Sequence, residues 1–144
     1  MEFGITVEID AKAHKKSSLI HGLSGDLSNL INSFDFGTDV EQILIGFVCI
    51  LTEPGYENWY KERKPRFTKA NKTFCFDIKI DGEKYKNFVA STDDESKRIL
   101  ATEILNGLNR IDKIPKHVKD FKRELFKVKV TEYLKENVLS EKAT

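Results

Sequence analysis

The feature that most constrains the fold is an almost uninterrupted apolar stretch over residues 40–51. It is rich in β-branched residues, as in strands whose two faces are both buried. Pro54 and Gly55 follow it, and they favour a turn because proline cannot donate a ladder hydrogen bond. The stretch therefore predicts the central strand of a sheet.

Two other segments, 2–10 and 73–81, alternate apolar and polar residues with a period of two. This pattern predicts strands with one buried face. Residues 56–70 are polar, aromatic and basic without a clear period, and they predict a loop with at most a short helix. Residues 84–90 fit either the second strand of a hairpin or a short helical turn.

Apolar residues spaced three and four apart predict three amphipathic helices. The first begins at Ser17 and is either one helix or two short ones, because Gly22 and Gly25 each cost about 1 kcal/mol relative to alanine. The second is predicted over residues 93–110 and the third over residues 118–136.

The order of these elements predicts a small α+β domain. We expect a mainly antiparallel sheet of three to four strands, covered on one face by helices. A length of 144 residues fits a single domain. We place this domain at residues 1–138, followed by a frayed tail at residues 139–144.

Composition narrows the class of protein further. With 40% hydrophobic and 33% charged residues, the chain is typical of globular proteins that bury a core. No stretch approaches the roughly 18 apolar residues of a membrane span, and the first residues do not resemble a signal peptide. These patterns favour a cytoplasmic protein. Cys49 and Cys75 lie in predicted strands, which favours reduced cysteines over a disulfide framework.

Charge is distributed unevenly along the chain. Residues 1–60 contain three lysines and nine acidic residues, whereas residues 61–144 contain 21 basic and 14 acidic ones. One interpretation is an acidic face for a basic protein and a basic face for nucleic acid. The other is pairing of these charges within the molecule.

Familiar catalytic and metal-binding motifs are missing from the sequence, including phosphate loops, dinucleotide fingerprints, zinc helices and paired cysteine motifs. His14, His21 and His117 do not form a set with metal-ligand spacing. Acidic residues 93–95 fit the start of a helix, where the helix dipole favours them. We therefore predict no catalytic residues, no metal and no cofactor.

The segment 59–72 interleaves Lys and Arg residues with Trp59, Tyr60 and Phe67. Proteins that bind single-stranded nucleic acids use cations for phosphates and aromatic rings for bases. One hypothesis is therefore a small module for RNA or single-stranded nucleic acid. A solvated basic loop is the alternative.

The overlapping residues 53–60 favour a protein-binding surface, because large aromatic residues on loops are typical anchors of interfaces. Packing of Trp59 and Tyr60 against the core is the alternative. The candidate partner-binding residues are Glu53, Tyr56, Glu57, Trp59 and Tyr60. An acidic rim, formed by Asp35, Asp39 and Glu41 together with Glu53 and Glu57, would steer a basic partner towards them.

Several segments within residues 40–134 are familiar when taken in order. They are the apolar strand at 43–48, residues 60–64, the strand at 76–81, the helix from Glu95 to Leu108, and Phe121 with Phe126. In this arrangement the chain resembles the immunity protein 44 family, bacterial immunity proteins of polymorphic toxin systems. The resemblance implies a protein that binds the toxin domain encoded beside it, without catalytic machinery of its own. For a nuclease toxin, an acidic face would mimic phosphate charge.

Overall fold

The computed structural model describes residues 2–7, 14–49 and 64–140. Its strands are β1 (Glu2–Val7), β2 (Gln42–Cys49), β3 (Arg66–Thr68) and β4 (Thr73–Ile80). Its α-helices are α1 (Ser17–Asn32), α2 (Gly82–Ala90), α3 (Asp93–Gly107) and α4 (Arg123–Asn137). Short 3₁₀-helices cover His14–Lys16 and Leu108–Lys113. The predicted α+β class is confirmed.

The strands form one sheet in the order β1-β2-β4-β3. Residues 42–49 of the apolar stretch form an inner strand, as predicted. β1 and β4 both pair with β2 in parallel, and β3 pairs with β4 in antiparallel fashion. The sheet is therefore mixed, which corrects the expectation of mainly antiparallel pairing. Alternation along a strand reports which face is buried but not the direction of its neighbour, and α1 lies in a connection long enough for a parallel crossover.

One face of the sheet packs against the helices to form a single hydrophobic core. Along the strands, the residues that face this core alternate with half-buried residues on the other face of the sheet, such as Leu44 and Cys75. The core-facing strand residues are Phe3, Ile5, Ile43, Ile45, Phe47, Phe74, Phe76, Ile78 and Ile80. They meet Ile20, Leu23, Leu27 and Ile31 of α1 and Phe126, Val130 and Leu134 of α4.

Helix α1 also hydrogen-bonds to β1, which is an edge strand. The amide of Phe3 donates to Ser28 Oγ at 2.9 Å, and the amide of Ile5 donates to Ser24 Oγ at 3.2 Å. Both hydroxyls also donate to the Phe3 carbonyl. Serine side chains thus satisfy backbone groups that the sheet leaves unpaired at this edge.

The structure decides between the alternatives left open for two helical segments. α1 is one continuous helix, and a Cβ atom added at Gly22 or Gly25 would meet nothing within 4 Å. Residues 82–90 form a helix, because the Asp81 carboxylate accepts a hydrogen bond from the Lys84 amide at 2.9 Å and caps the first turn.

Two element boundaries differ from the predictions. β3 lies within the predicted loop at 56–70, where three residues are too few to show a period. The last helix begins at Arg123 rather than Val118. Val118 and Phe121 are buried as core residues, but they belong to an irregular segment. Among the described helices, none has the length and apolar character needed to cross a membrane.

Candidate partner-binding site

The predicted anchor residues Glu53, Tyr56, Glu57, Trp59 and Tyr60 lie outside the described residues. β3 begins at Arg66, six residues after Tyr60 in the sequence. The described members of the predicted acidic rim are Asp35, Asp39 and Glu41, which precede β2. Asp39 and Glu41 lie next to a surface that is predominantly basic.

A hydrogen-bonded clamp between residues 36–39 and 120–122 supports this basic surface. The Asp120 carboxylate accepts hydrogen bonds from the Thr38 hydroxyl at 2.6 Å and the Thr38 amide at 2.9 Å. In return the Asp39 carboxylate accepts from the Asp120 amide at 2.8 Å. The Thr38 hydroxyl, followed by the Thr38 amide, lowers the pKa of Asp120 below its ordinary value.

Gly37 makes this close approach possible. Its φ of +100° is unfavourable for other residues, and a Cβ atom added there would lie 2.1 Å from the Asp120 carbonyl oxygen. The clamp is completed by the Lys122 amide, which donates to the Phe36 carbonyl at 2.9 Å. Two segments far apart in the sequence are thereby fixed against each other.

Beside the clamp is a groove of about 240 Å³, which we call the basic groove. It is lined by Asp39, Phe67, Lys69, Lys72, His117 and Val118. The rings of Phe67 and His117 meet edge to face, with their centroids 6.4 Å apart. Lys69 is exposed, and Lys72 lies 4.0 Å from the Glu41 carboxylate. The groove thus combines an aromatic contact with a cationic rim.

The segment 112–122 contributes further positive charge to this side of the molecule. Its residues Ile114, Val118 and Phe121 are buried, and they alternate with exposed lysines. These exposed lysines are Lys113, Lys116, Lys119 and Lys122. None of the four forms an ion pair with another residue that the structure describes.

A second groove, of about 300 Å³, lies between α2 and α3 and is called the α2–α3 groove. Its lining includes Ile99, Thr102 and two ion pairs. Lys84 Nζ lies 2.7 Å from Glu103, whose side chain is only 8% exposed, and Arg98 lies 3.3 Å from Glu95. The hydrogen bond to Glu103 raises the pKa of Lys84 above its ordinary value. Its charges are therefore balanced within the molecule.

The described residues that the sequence offered as candidates for catalysis or metal binding do not form a common site. Cys75 is a half-buried free thiol, and His21 is exposed. The side chains of Cys49 and His14 lie outside the described part of the chain. Acidic residues 93–95 form the first turn of α3, as predicted. Within the described ranges, no group of three or more His, Cys, Asp and Glu side chains could hold a metal ion.

Sequence reasoning missed the contribution of residues 112–122 to the basic surface. A signal was present, because lysines recur at every third position from Lys113 to Lys122 while core residues lie between them. Pairing of Phe67 with His117 could not be inferred, since the two residues are distant in sequence and belong to different elements.

Comparison with known proteins gives one positive result. A family model described as Immunity protein 44 matches residues 1–136. This range includes β1 and α1 and so extends beyond the segments at 40–134 that carried the resemblance in the sequence. No curated protein and no solved structure matches the chain significantly.

Proposed function

Because the chain belongs to the immunity protein 44 family, we propose that it binds a cognate bacterial toxin domain and neutralises it by occluding the toxin's active site. The family match over residues 1–136 is the observation that carries this proposal. The protein acts in the cytoplasm of the bacterium that makes it. It inhibits by forming a complex, and it does not transform a substrate.

Residues 53–60, which we call the anchor loop, provide the central contacts of this complex. Its three aromatic residues fit the composition of interface hot spots, where truncation of one side chain often costs about 2 kcal/mol or more. Glu53 and Glu57 steer a basic toxin surface towards them. Five residues, 61–65, separate the anchor loop from the strand that carries Phe67, so the proposed interface continues from the anchor loop to the basic groove.

The first experiment is co-expression with the toxin domain encoded by the adjacent gene. We expect the host to survive only when this protein is present, and the two purified proteins to elute together in size-exclusion chromatography. An unprotected host together with separate elution would contradict the proposal. Substrate turnover by the purified protein alone would contradict inhibition by binding.

A second experiment addresses the anchor loop. Trp59→Ala and Tyr60→Ala should each weaken toxin binding about 30-fold or more, as expected for hot-spot residues. The matched control is Phe34→Ala, which removes an aromatic side chain that is 39% exposed and does not belong to residues 53–60. Isothermal titration calorimetry measures all three affinities. Equal affinities for the three variants and the unaltered protein would exclude these aromatics as anchors.

An RNA- or single-stranded nucleic-acid-binding module using segment 59–72 is the second candidate. It is favoured by the exposed Lys64 and Lys69 and by the position of Phe67 in the basic groove. Filter binding to an RNA oligonucleotide tests it, because affinity due to phosphate contacts falls steeply with salt. Absence of binding at low salt would reject this candidate.

A further inference from the structure

The basic groove is formed by two segments with a marked excess of positive charge. Residues 64–72 and 112–122 together contain eight Lys or Arg and two acidic residues. Both acidic residues are engaged within the protein: Asp112 binds Lys127 at 2.8 Å, and Asp120 accepts the hydrogen bonds from Thr38. Lys72 lies 4.0 Å from Glu41, whereas the other lysines of the two segments have no ion-pair partner among the described residues and retain charge that is available to a partner.

These charges are held on a fixed backbone. Ile114, Val118 and Phe121 are each at most 5% exposed, so they anchor the lysine-bearing segment in the core. Arg123 fixes the start of the segment by donating to the carbonyls of Asp112 and Ile114, at 3.3 Å and 3.2 Å. A surface ordered in this way loses little conformational entropy when it binds a partner.

The groove also has the composition of a binding surface. The half-buried Phe67 provides apolar area, and the exposed His117 adds a ring that contacts Phe67. Charged side chains surround this area, with Lys69 and Lys72 in the lining and Lys116 and Lys119 next to its lining residues in the chain. Apolar centres with polar rims are typical of protein interfaces.

We infer that the basic groove is the docking site for an acidic segment of the toxin domain, an inference that rests on the proposed function. Asp39 lines the groove and Glu41 lies beside Lys72. A nucleic acid carries a charge at every nucleotide and would meet both carboxylates. An acidic segment of a protein carries carboxylates at separate positions, so it can place them beside lysines only.

The test is charge reversal at three exposed lysines of the groove region, Lys69→Glu, Lys116→Glu and Lys119→Glu combined. The control combines Lys15→Glu, Lys86→Glu and Lys135→Glu, which change the net charge equally at exposed lysines elsewhere. Affinity for the purified toxin domain is measured by calorimetry between about 50 mM and about 300 mM salt. We expect the groove variant to bind about 100-fold more weakly, with a smaller salt dependence, and the control to change less than about threefold.

The outcomes separate this inference from the proposed function. If the unaltered protein forms no complex with the toxin domain, the proposed function fails. If the complex forms and both triple variants bind as tightly as the unaltered protein, the docking site is wrong while the proposed function stands. A third outcome is that the unaltered protein and the control variant bind an RNA oligonucleotide and the groove variant does not. This outcome would overturn the inference and make nucleic acid the partner of the groove.

Circular dichroism and thermal unfolding establish that both triple variants are folded. If the groove variant does not fold, the same three lysines are replaced by glutamine, which removes charge without adding repulsion. Weaker toxin binding by that variant supports the docking site. Unchanged binding by a folded glutamine variant contradicts it.

Discussion

The α2–α3 groove and the basic groove are similar in size but differ in how their charges are satisfied. In the α2–α3 groove, Lys84 and Arg98 each have an acidic partner within 3.3 Å. In the basic groove, Lys69 has no ion-pair partner among the described residues, and Lys72 reaches one only at 4.0 Å. Internal pairing makes the first groove a structural feature, whereas the exposed Lys69 and the weakly paired Lys72 of the second favour an acidic partner.

The largest expected effect comes from removing the support of the basic groove. Gly37→Ala places a Cβ atom against the Asp120 carbonyl oxygen and strains a backbone with positive φ. We expect the free energy of unfolding to fall by about 3 kcal/mol. Urea denaturation measures this loss, and toxin affinity should fall with it. An unchanged unfolding midpoint would show that the clamp contributes little stability.

In the α2–α3 groove, a substitution should lower stability without changing toxin affinity. Glu103→Gln weakens a charge-assisted hydrogen bond made by a side chain that is 8% exposed. Because Lys84 is half exposed, we expect a loss of only about 1.5 kcal/mol. Toxin affinity should stay the same. Weaker toxin binding, in a variant that remains fully folded, would contradict the division between the two grooves.

A substitution in helix α1 can change stability without touching either groove or the clamp. Gly22→Ala adds a methyl group that meets nothing within 4 Å, so we expect stabilisation by about 0.8 kcal/mol. Thermal unfolding, with the unaltered protein beside it, measures the gain. Introduced into the lysine-to-glutamate groove variant, the change should raise stability by a similar amount without raising toxin affinity. Recovered affinity would mean that the variant binds weakly because it is unstable.

The smallest expected effects are changes in stability with pH. The contribution of Asp120 changes in acid, and that of Lys84 changes in alkali. The pKa of Asp120 is lowered, so its contribution to stability is complete above the ordinary value of about 3.9 and is lost as pH falls through the folded pKa. The pKa of Lys84 is raised, so its contribution is complete below about 10.4 and is lost as pH rises through the folded pKa.

Urea titrations of Asp120→Asn and Lys84→Met over the whole pH range test this contrast. The destabilisation caused by the first variant should shrink in acid, and that caused by the second should shrink in alkali. Destabilisation by either variant that does not change with pH would show that the charge of the substituted residue is unimportant to stability.

The sequence predicts best those features that depend on local periodicity. The apolar run identified an inner strand, and the spacing of apolar residues identified most of the helical core. Strand direction was missed because it depends on the connections between strands. Residues 118–122 were wrongly predicted to be helical because Val118 and Phe121 follow a helix-like spacing, although the clamp and the core hold them in an irregular conformation.

The candidate site was harder to predict because it joins distant parts of the chain. Asp39 and Glu41 come from the acidic half of the sequence, whereas Lys72 and His117 come from the basic half. Folding brings them to one groove. The net charge of one half of the sequence therefore does not predict the charge of any one face of the folded protein. The anchor loop stays a prediction, since its residues lie outside those the structure describes.

The clamp also determines when during synthesis the basic groove can form. It joins Thr38 to Asp120, residues 82 positions apart, and the groove beside it needs His117. A nascent chain therefore cannot complete this surface until residue 122 has emerged from the ribosome, even though residues 14–49 emerge much earlier. Under the proposed function, this surface can bind a toxin domain only after residue 122 has left the ribosome.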